Sequence, residues 1–225
     1  MTGRKRKKHP RYTARTADKH VLYQESVQAP EAEVAFCRRV YQKHYGVDAT
    51  LFREDFCGTF LISCAWVKKS PRHYAWGIDL HRETLDWGRA HNLSKLNPSA
   101  QTRVHLLNKN VLDVTEPKVH IAGAFNFSFF IFKDRDQLVA YFKKVRASLL
   151  PKGIFVTDAY GGWDSQKVMQ DKRRCEGFTY VWDQAAYDPT DDSTTCHIHF
   201  KFPDGTMMKR AFSYDWRLWT LGSIR

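Results

Sequence analysis

Apolar positions along the chain follow two rhythms. Between residues 32 and 45, Val34, Phe36, Cys37, Val40, Tyr41 and Tyr45 recur at helical spacing, and Gly46 stands where a left-handed C-cap would close the helix. A short strand over 50–55 then runs into a turn centred on Gly58, and 59–69 reads as the helix leaving that turn. The alternation continues with a strand at 74–80, a partly apolar helix at 82–92, a strand at 103–107 and a strand across the run 121–132. An amphipathic helix over 136–150 carries Leu138, Tyr141, Phe142, Val145 and Leu149 on one stripe, and Pro151-Lys152-Gly153 turns the chain into a fifth strand at 154–158. Strands alternating with helices predict a mostly parallel sheet with right-handed crossovers.

Beyond Gly161-Gly162 the rhythm becomes that of strands, at 178–183, 196–202 and 207–214, with Pro203-Asp204-Gly205 as a hairpin signal. The expected fold class is therefore α/β, a Rossmann-like doubly wound, mostly parallel sheet with an antiparallel β subdomain inserted after strand five. No internal repeat is visible.

Composition narrows the class. The chain has 225 residues, enough to bury a core without metal or disulfides. Its 5 cysteines are odd in number and form no C-x-x-C pair, which points away from a disulfide framework or a zinc ribbon and toward a reducing cytoplasm. The apolar run 121–132 contains Asn126 and Ser128 and falls short of the ~20 residues of a membrane span. No apolar segment follows the basic start, so neither a secretory leader nor a membrane partner is expected.

The net charge of +12 is unevenly placed. Arg4, Lys5, Arg6, Lys7, Lys8, Arg11, Arg15 and Lys19 face only Asp18 in the first stretch, which predicts a basic disordered tail over 1–19. Such a tail is most simply a solvated solubility element; a salt-sensitive contact with nucleic acid is the alternative.

The densest chemistry lies in Glu54-Asp55-Phe56-Cys57-Gly58-Thr59-Phe60, followed about 20 residues later by Asp79 at the end of the second strand. In a doubly wound sheet, ligands sit outside the carboxyl ends of the strands, and a carboxylate at that spacing takes ribose hydroxyls. An aspartate before a helix also serves as an N-cap, so Asp79 has two readings. Glu54 and Asp55 are adjacent on a strand and point to opposite faces. Cys57 reads as a small turn residue, since no partner base accompanies it. His197 and His199 would share one face of a strand with Cys196 on the other, which matches no metal pattern; either imidazole could accept a proton.

These residues resemble the class I S-adenosylmethionine-dependent methyltransferases, over roughly residues 19–219. The family's acidic, Gly-rich first motif corresponds to Glu54 through Phe60, with Phe56, Cys57, Gly58 and Thr59 forming the turn. Only Gly58 remains of the usual three glycines, Phe56 and Phe60 standing at the other two, so the turn is expected to take another path or to hold the cofactor less closely. The resemblance implies a ribose contact from Asp79 with Leu80, adenine contacts from Asn110 and Val111, and a fourth-strand segment, Asn126-Phe127-Ser128, facing the transferred methyl group. It assigns Glu54 to the methionine amino group; position along the chain then makes Asn126 and Ser128 the catalytic candidates and Tyr23 and Tyr160 candidate lid residues, Tyr23 also as a cofactor contact.

The implied organisation is a cofactor-binding domain over 20–162 and a substrate-covering antiparallel subdomain over 163–225. The family's usual last strands are missing before Arg225, which leaves strand five as an expected exposed edge and a route to a homodimer. The function implied is methyl transfer from S-adenosyl-L-methionine to a small-molecule acceptor, with no metal. The alternatives are a catalytically impaired cofactor-binding protein and an RNA-associated protein of the same fold. A nicotinamide dehydrogenase fits less well, because its fingerprint needs glycines at three positions.

Overall fold

The computed structural model of the protein describes residues 12–225. Its elements in chain order are α1 (Lys19–Val27), α2 (Pro30–Tyr45), β1 (Leu51–Asp55), α3 (Leu61–Lys68), β2 (Tyr74–Asp79), α4 (Arg82–His91), α5 (Pro98–Gln101) and β3 (Val104–Asn108). They continue with β4 (Val119–Ala124), α6 (Arg135–Ala147), β5 (Leu149–Thr157), β6 (Met169–Cys175), β7 (Phe178–Asp188), β8 (Ser193–Lys201), β9 (Met207–Arg217) and α7 (Leu221–Ile224). The chain divides into two compact units, one of residues 29–160 with 219–225, the other of 12–28 with 161–218. Among the described residues no helix is long and apolar enough to cross a membrane.

The larger unit is built on a parallel sheet of order β3-β2-β1-β4-β5. β1 is central, with Phe52 opposite Ala75 of β2 and Ile121 of β4. Alternation along β1 sends Phe52 and Glu54 to one face and Arg53 and Asp55 to the other. On the first face Phe52 stacks on Trp66 of α3, within a core that includes Val34, Cys37 and Tyr41 of α2. On the second face Tyr141 of α6 packs edge-on against Phe155 of β5. The charged pair there is fully satisfied: Arg53 Nε donates to Asp55 Oδ1 at 2.6 Å and Arg53 NH1 to the Val114 carbonyl at 2.7 Å, while the Tyr141 hydroxyl donates to Asp55 Oδ2 at 2.9 Å.

Helix α2 follows its sequence signals closely. Pro30 occupies the first turn with Glu31 and Glu33, Lys43 and His44 the last, and Gly46 at φ 71° returns its N–H to the Gln42 carbonyl. Two expectations need correction. The strand expected across 121–132 ends at Ala124, after which Asn126 and Phe127 adopt positive φ and a short 3-10 turn, Ser128–Ile131, begins. The apolar run is continued in sequence but not in sheet. The fifth strand starts at Leu149 rather than 154, because Pro151-Lys152-Gly153 forms a bulge inside it: Val119 pairs with Leu149 and Ile121 with Ile154. Gly153 is required there, since a Cβ would lie 2.8 Å from the Leu150 carbonyl oxygen. β5 has β4 as its single neighbour in this sheet. At the end of the chain, Trp219 Nε1 donates to the Phe132 carbonyl at 2.9 Å.

The smaller unit is an antiparallel sheet of order β6-β7-β8-β9. The β8–β9 hairpin is closed at Pro203-Asp204-Gly205, with Gly205 at φ 87° and its N–H on the Phe202 carbonyl. One face buries Ile198, Phe200 and Phe178 with Leu22 of α1. Two histidines of β8, His197 and His199, are paired with polar groups of neighbouring strands. His197 Nδ1 lies 2.9 Å from Ser213 Oγ, and His199 Nε2 lies 3.0 Å from Asp183 Oδ2. Its Nδ1 accepts the Arg210 N–H at a bulge in β9, which leaves Nε2 to carry the proton toward Asp183. The expected basic tail lies outside the described residues up to residue 11. From there Tyr12 packs edge-on against Phe178, and the Ala14 N–H donates to Thr206 Oγ1.

Candidate functional site

The larger unit gathers its chemistry at the carboxyl ends of β1, β2, β4 and β5. Strand β1 ends at Asp55 and the chain enters a tight turn in which Phe56, Gly58 and Phe60 have φ of 54°, 52° and 47°. The three positions where the resemblance calls for glycine therefore keep the left-handed backbone with one glycine among them. A phenylalanine in that region costs about 1–2 kcal/mol, so its surroundings must impose it. They do so by hydrogen bonds and packing. Cys57 N–H donates to the Ile78 carbonyl at 3.0 Å, Phe60 N–H to the Cys57 carbonyl at 2.7 Å, and Gly58 N–H to Asp79 Oδ2 at 2.8 Å. The Phe60 ring is fully buried against Gly88 of α4, and the Phe56 ring lies 5.6 Å from Tyr141.

Asp79 joins the ends of both strands. Its second oxygen, Oδ1, accepts the His81 N–H at 2.8 Å ahead of α4, so the N-cap-like role and the grip on the glycine turn coexist. Asn108 at the end of β3 adds a clamp that the sequence did not announce: its Nδ2 donates to the carbonyls of Asp79 and Leu80 at 3.0 and 2.8 Å. Leu80 itself is largely exposed. Asn110 Oδ1 accepts the Leu112 N–H and so caps a 3-10 turn, while buried Val111 offers its carbonyl to Arg53 NH2. Thr59 is buried, with its carbonyl accepting from Asn92 Nδ2 at 2.8 Å.

Glu54 faces away from the Arg53–Asp55 pair, and no cation lies beside it among the described residues. It is 3% exposed, and its Oε2 accepts both the N–H and the hydroxyl of Ser63 at 2.9 and 2.5 Å. Ser63 lies in the first turn of α3, where backbone N–H groups have no partner within the helix. Burial nonetheless pushes the Glu54 carboxyl up to about 8, with repulsion from Glu33 and Asp79 adding to it and the Ser63 bonds opposing it. Glu33, in the first turn of α2, was not singled out by its sequence context, where an acidic residue is ordinary. Burial raises it to about 7, opposed by a hydrogen bond from the Ala29 N–H and assisted by Asp158 and Glu31, and its Oε2 has no hydrogen-bond partner among the described residues. Burial, then the carboxylates of Glu54, Asp79 and Asp55, holds the Cys57 thiol well above its ordinary range, which makes it a packing group and not a nucleophile.

At the end of β4, Asn126 and Phe127 have φ of 56° and 59° and donate their N–H groups to Asp158 Oδ2 and Oδ1, each at 2.8 Å. The Ser128 hydroxyl donates to the Phe125 carbonyl, so its proton is engaged. Tyr160 lies with its ring 5.4 Å from Phe127. Tyr23 belongs to the smaller unit, where its ring packs on Phe212 at 4.9 Å. Glu54, Gly58 and Asp79 thus form one connected group, with Glu33 in electrostatic contact with Glu54 and with Asp158.

The set is suited to a ligand with both cationic and hydroxyl groups. The buried Glu54 and the half-buried Glu33 lack a counter-cation among the described residues, and Asp79 retains lone pairs beyond the two N–H bonds it accepts. An ammonium or sulfonium beside Glu54 and Glu33 would offset the burial that disfavours their ionisation.

No family model matches the sequence, and no curated protein sequence matches it. Solved structures do match. An S-adenosylmethionine-dependent methyltransferase from Clostridium acetobutylicum superposes with TM-score 0.69 at 18% identity, over 91% of this chain and 82% of that one. The amino pentose methyltransferase CalS10 of Micromonospora echinaspora, solved with S-adenosylmethionine bound, gives 0.67 at 16% identity over 91% and 83%. The sugar N-methyltransferase KedS8 from a Streptoalloteichus species gives 0.66 at 17% identity over 100% and 86%. At these identities the likeness is one of fold.

Proposed function

Taking as premise that the chain has the fold of S-adenosylmethionine-dependent methyltransferases, we propose that it transfers a methyl group from S-adenosyl-L-methionine to a small-molecule acceptor. The observation that carries this reading is a buried carboxylate, Glu54, with the half-buried Glu33 in electrostatic contact with it and no counter-cation at either among the described residues, beside a turn whose Gly58 N–H is held by Asp79. In this reading Glu54, helped by Glu33, receives the methionine ammonium, and Asp79 the ribose hydroxyls. Leu80, Asn110 and Val111 border the adenine, while Phe56, Cys57, Gly58 and Thr59 provide the close backbone. Bound S-adenosylmethionine supplies a methyl group already activated on a sulfonium.

The protein's own task is then mainly orientation, which can be worth about 7–11 kcal/mol in favourable cases. Asn126 and Ser128 are the candidates to line the reacting centre. That CalS10 is an amino pentose methyltransferase and KedS8 a sugar N-methyltransferase suggests an amino group on a sugar as the first acceptor class to screen. A base is needed only if that amine arrives protonated.

The test is calorimetric titration of the 225-residue chain with S-adenosylmethionine and S-adenosylhomocysteine, repeated with Asp79→Ala. Saturable binding of both, weakened at least tenfold by the substitution, is expected. A folded protein that binds neither would overturn the proposal.

A further inference from the structure

The turn after β4 is held in a way that its own sequence does not explain. Asn126 and Phe127 are successive non-glycine residues at φ 56° and 59°. Successive backbone N–H groups in a turn can converge as an anion-binding nest. Here the anion is internal: Asp158, the residue after β5, places one carboxylate oxygen on each N–H at 2.8 Å. The register explains why Asp158 reaches the turn, since Ala124 pairs with Thr157 and the Thr157 hydroxyl donates to the Ala124 carbonyl at 2.8 Å. The Asn126 side chain forms no hydrogen bond among the described residues, so its carboxamide is available to a ligand. Asp158 also lies close enough to Glu33 for the two carboxylates to repel.

We propose that Asp158 is a positioning residue that holds the Asn126–Phe127 turn in its left-handed form and so aims the Asn126 carboxamide at the transferred methyl group. The proposal rests on the methyltransferase reading above. It assigns Asp158 no contact with cofactor or acceptor; its effect passes through two backbone N–H groups. Because each N–H sits on a different carboxylate oxygen, a carboxamide at position 158 in the same pose keeps an acceptor for only one of them.

A pair of cofactor analogues reads the turn without a known acceptor. S-adenosylhomocysteine lacks the methyl group, whereas sinefungin has a CH–NH2 unit in place of the S–CH3 sulfonium, so that an amine stands where the methyl would be. The ratio of their dissociation constants reports the groups and charges around the methyl position, while effects on the adenosine and methionine parts of the site cancel; loss of the Asp158 charge also lowers it, and the glycine rescue, which restores no charge, isolates the turn. In Asp158→Ala the preference for sinefungin should fall about tenfold, with S-adenosylhomocysteine binding changed by less than about threefold. Asp158→Asn should fall between. In Asp158→Ala/Phe127→Gly, where glycine takes the left-handed region freely, at least part of the preference should return.

An unchanged ratio in folded Asp158→Ala, or in Asp158→Asn if the alanine variant does not fold, would overturn the proposal. So would failure of the glycine to restore any of it. Binding of neither analogue by the unaltered protein would overturn both this proposal and the methyltransferase reading, whereas binding with an unmoved ratio overturns this one alone.

Discussion

Replacing Glu54 by glutamine should move stability and binding in opposite directions. In the folded protein the Glu54 carboxyl titrates at about 8, against an ordinary 4.5, chiefly because it is buried. The folded state therefore holds a proton that the unfolded chain releases between those values. The stability associated with that proton is fully present below about 4.5 and is lost as pH rises through about 8. Each unit is worth roughly 1.4 kcal/mol, so Glu54 should cost the protein on the order of 3–5 kcal/mol by pH 8. A glutamine carbonyl can still accept both Ser63 donors and carries no charge to bury. Urea unfolding without cofactor, at intervals from pH 5 to pH 8, should show the variant gaining on the parent by roughly 1 kcal/mol per pH unit. Titration with S-adenosylmethionine at pH 8 should show the same variant binding at least tenfold more weakly. Parallel stability profiles, or a variant less stable at pH 8, would refute the argument, because Glu54 would then be an ionised group stabilised by its two hydrogen bonds.

Three further outcomes follow from the same geometry. Gly88→Ala gains about 1 kcal/mol of helix propensity, but its Cβ would meet Phe60 at 2.4 Å and the Thr59 carbonyl oxygen at 2.7 Å, and overpacking against backbone costs about 1–3 kcal/mol; a lower urea midpoint is expected, and a higher one would show that the turn yields. Asp55→Asn strips the buried Arg53 of its counter-charge and should cost about 3–5 kcal/mol in the same assay, with no loss excluding an ionic pair at this position. Because a bound cation favours the ionised forms of Glu54 and Glu33, which titrate at about 8 and about 7, S-adenosylmethionine affinity should rise between pH 6 and pH 8 and binding at pH 7 should release protons; calorimetry in two buffers of different ionisation enthalpy measures the release, and a buffer-independent heat would count against it.

Some of the site was readable because its signals are local. Asp79 ends a strand about 20 residues after a glycine turn, and that spacing is a property of one strand-turn-helix-strand unit. Glu33 was not readable, since nothing near it in sequence distinguishes it from any acidic residue in a helix's first turn; its raised carboxyl comes from burial and from Asp158, far along the chain just beyond β5. The break after Ala124 was hidden for a similar reason. Phe125 to Phe132 has strand-like composition, and what ends the strand is a carboxylate 32 residues beyond Asn126. Strand β6 was missed because its sequence, MQDKRRC, has no apolar alternation to announce it.

By itself the sequence determined the order and kind of most elements: the stripe of α2, the strand-helix alternation around a parallel sheet, and the hairpin at Pro203-Asp204-Gly205. Each is encoded within a few residues, where periodicity and turn chemistry act. Tertiary structure alone decided that Phe56 and Phe60 take a glycine's conformation, through packing of Phe60 against Gly88 and of Phe56 against Tyr141 and through hydrogen bonds of the turn to β2, and that four carboxylates from α2, β1, β2 and the end of β5 become electrostatic neighbours. Those outcomes depend on desolvation and on contacts between distant segments, which no local pattern contains.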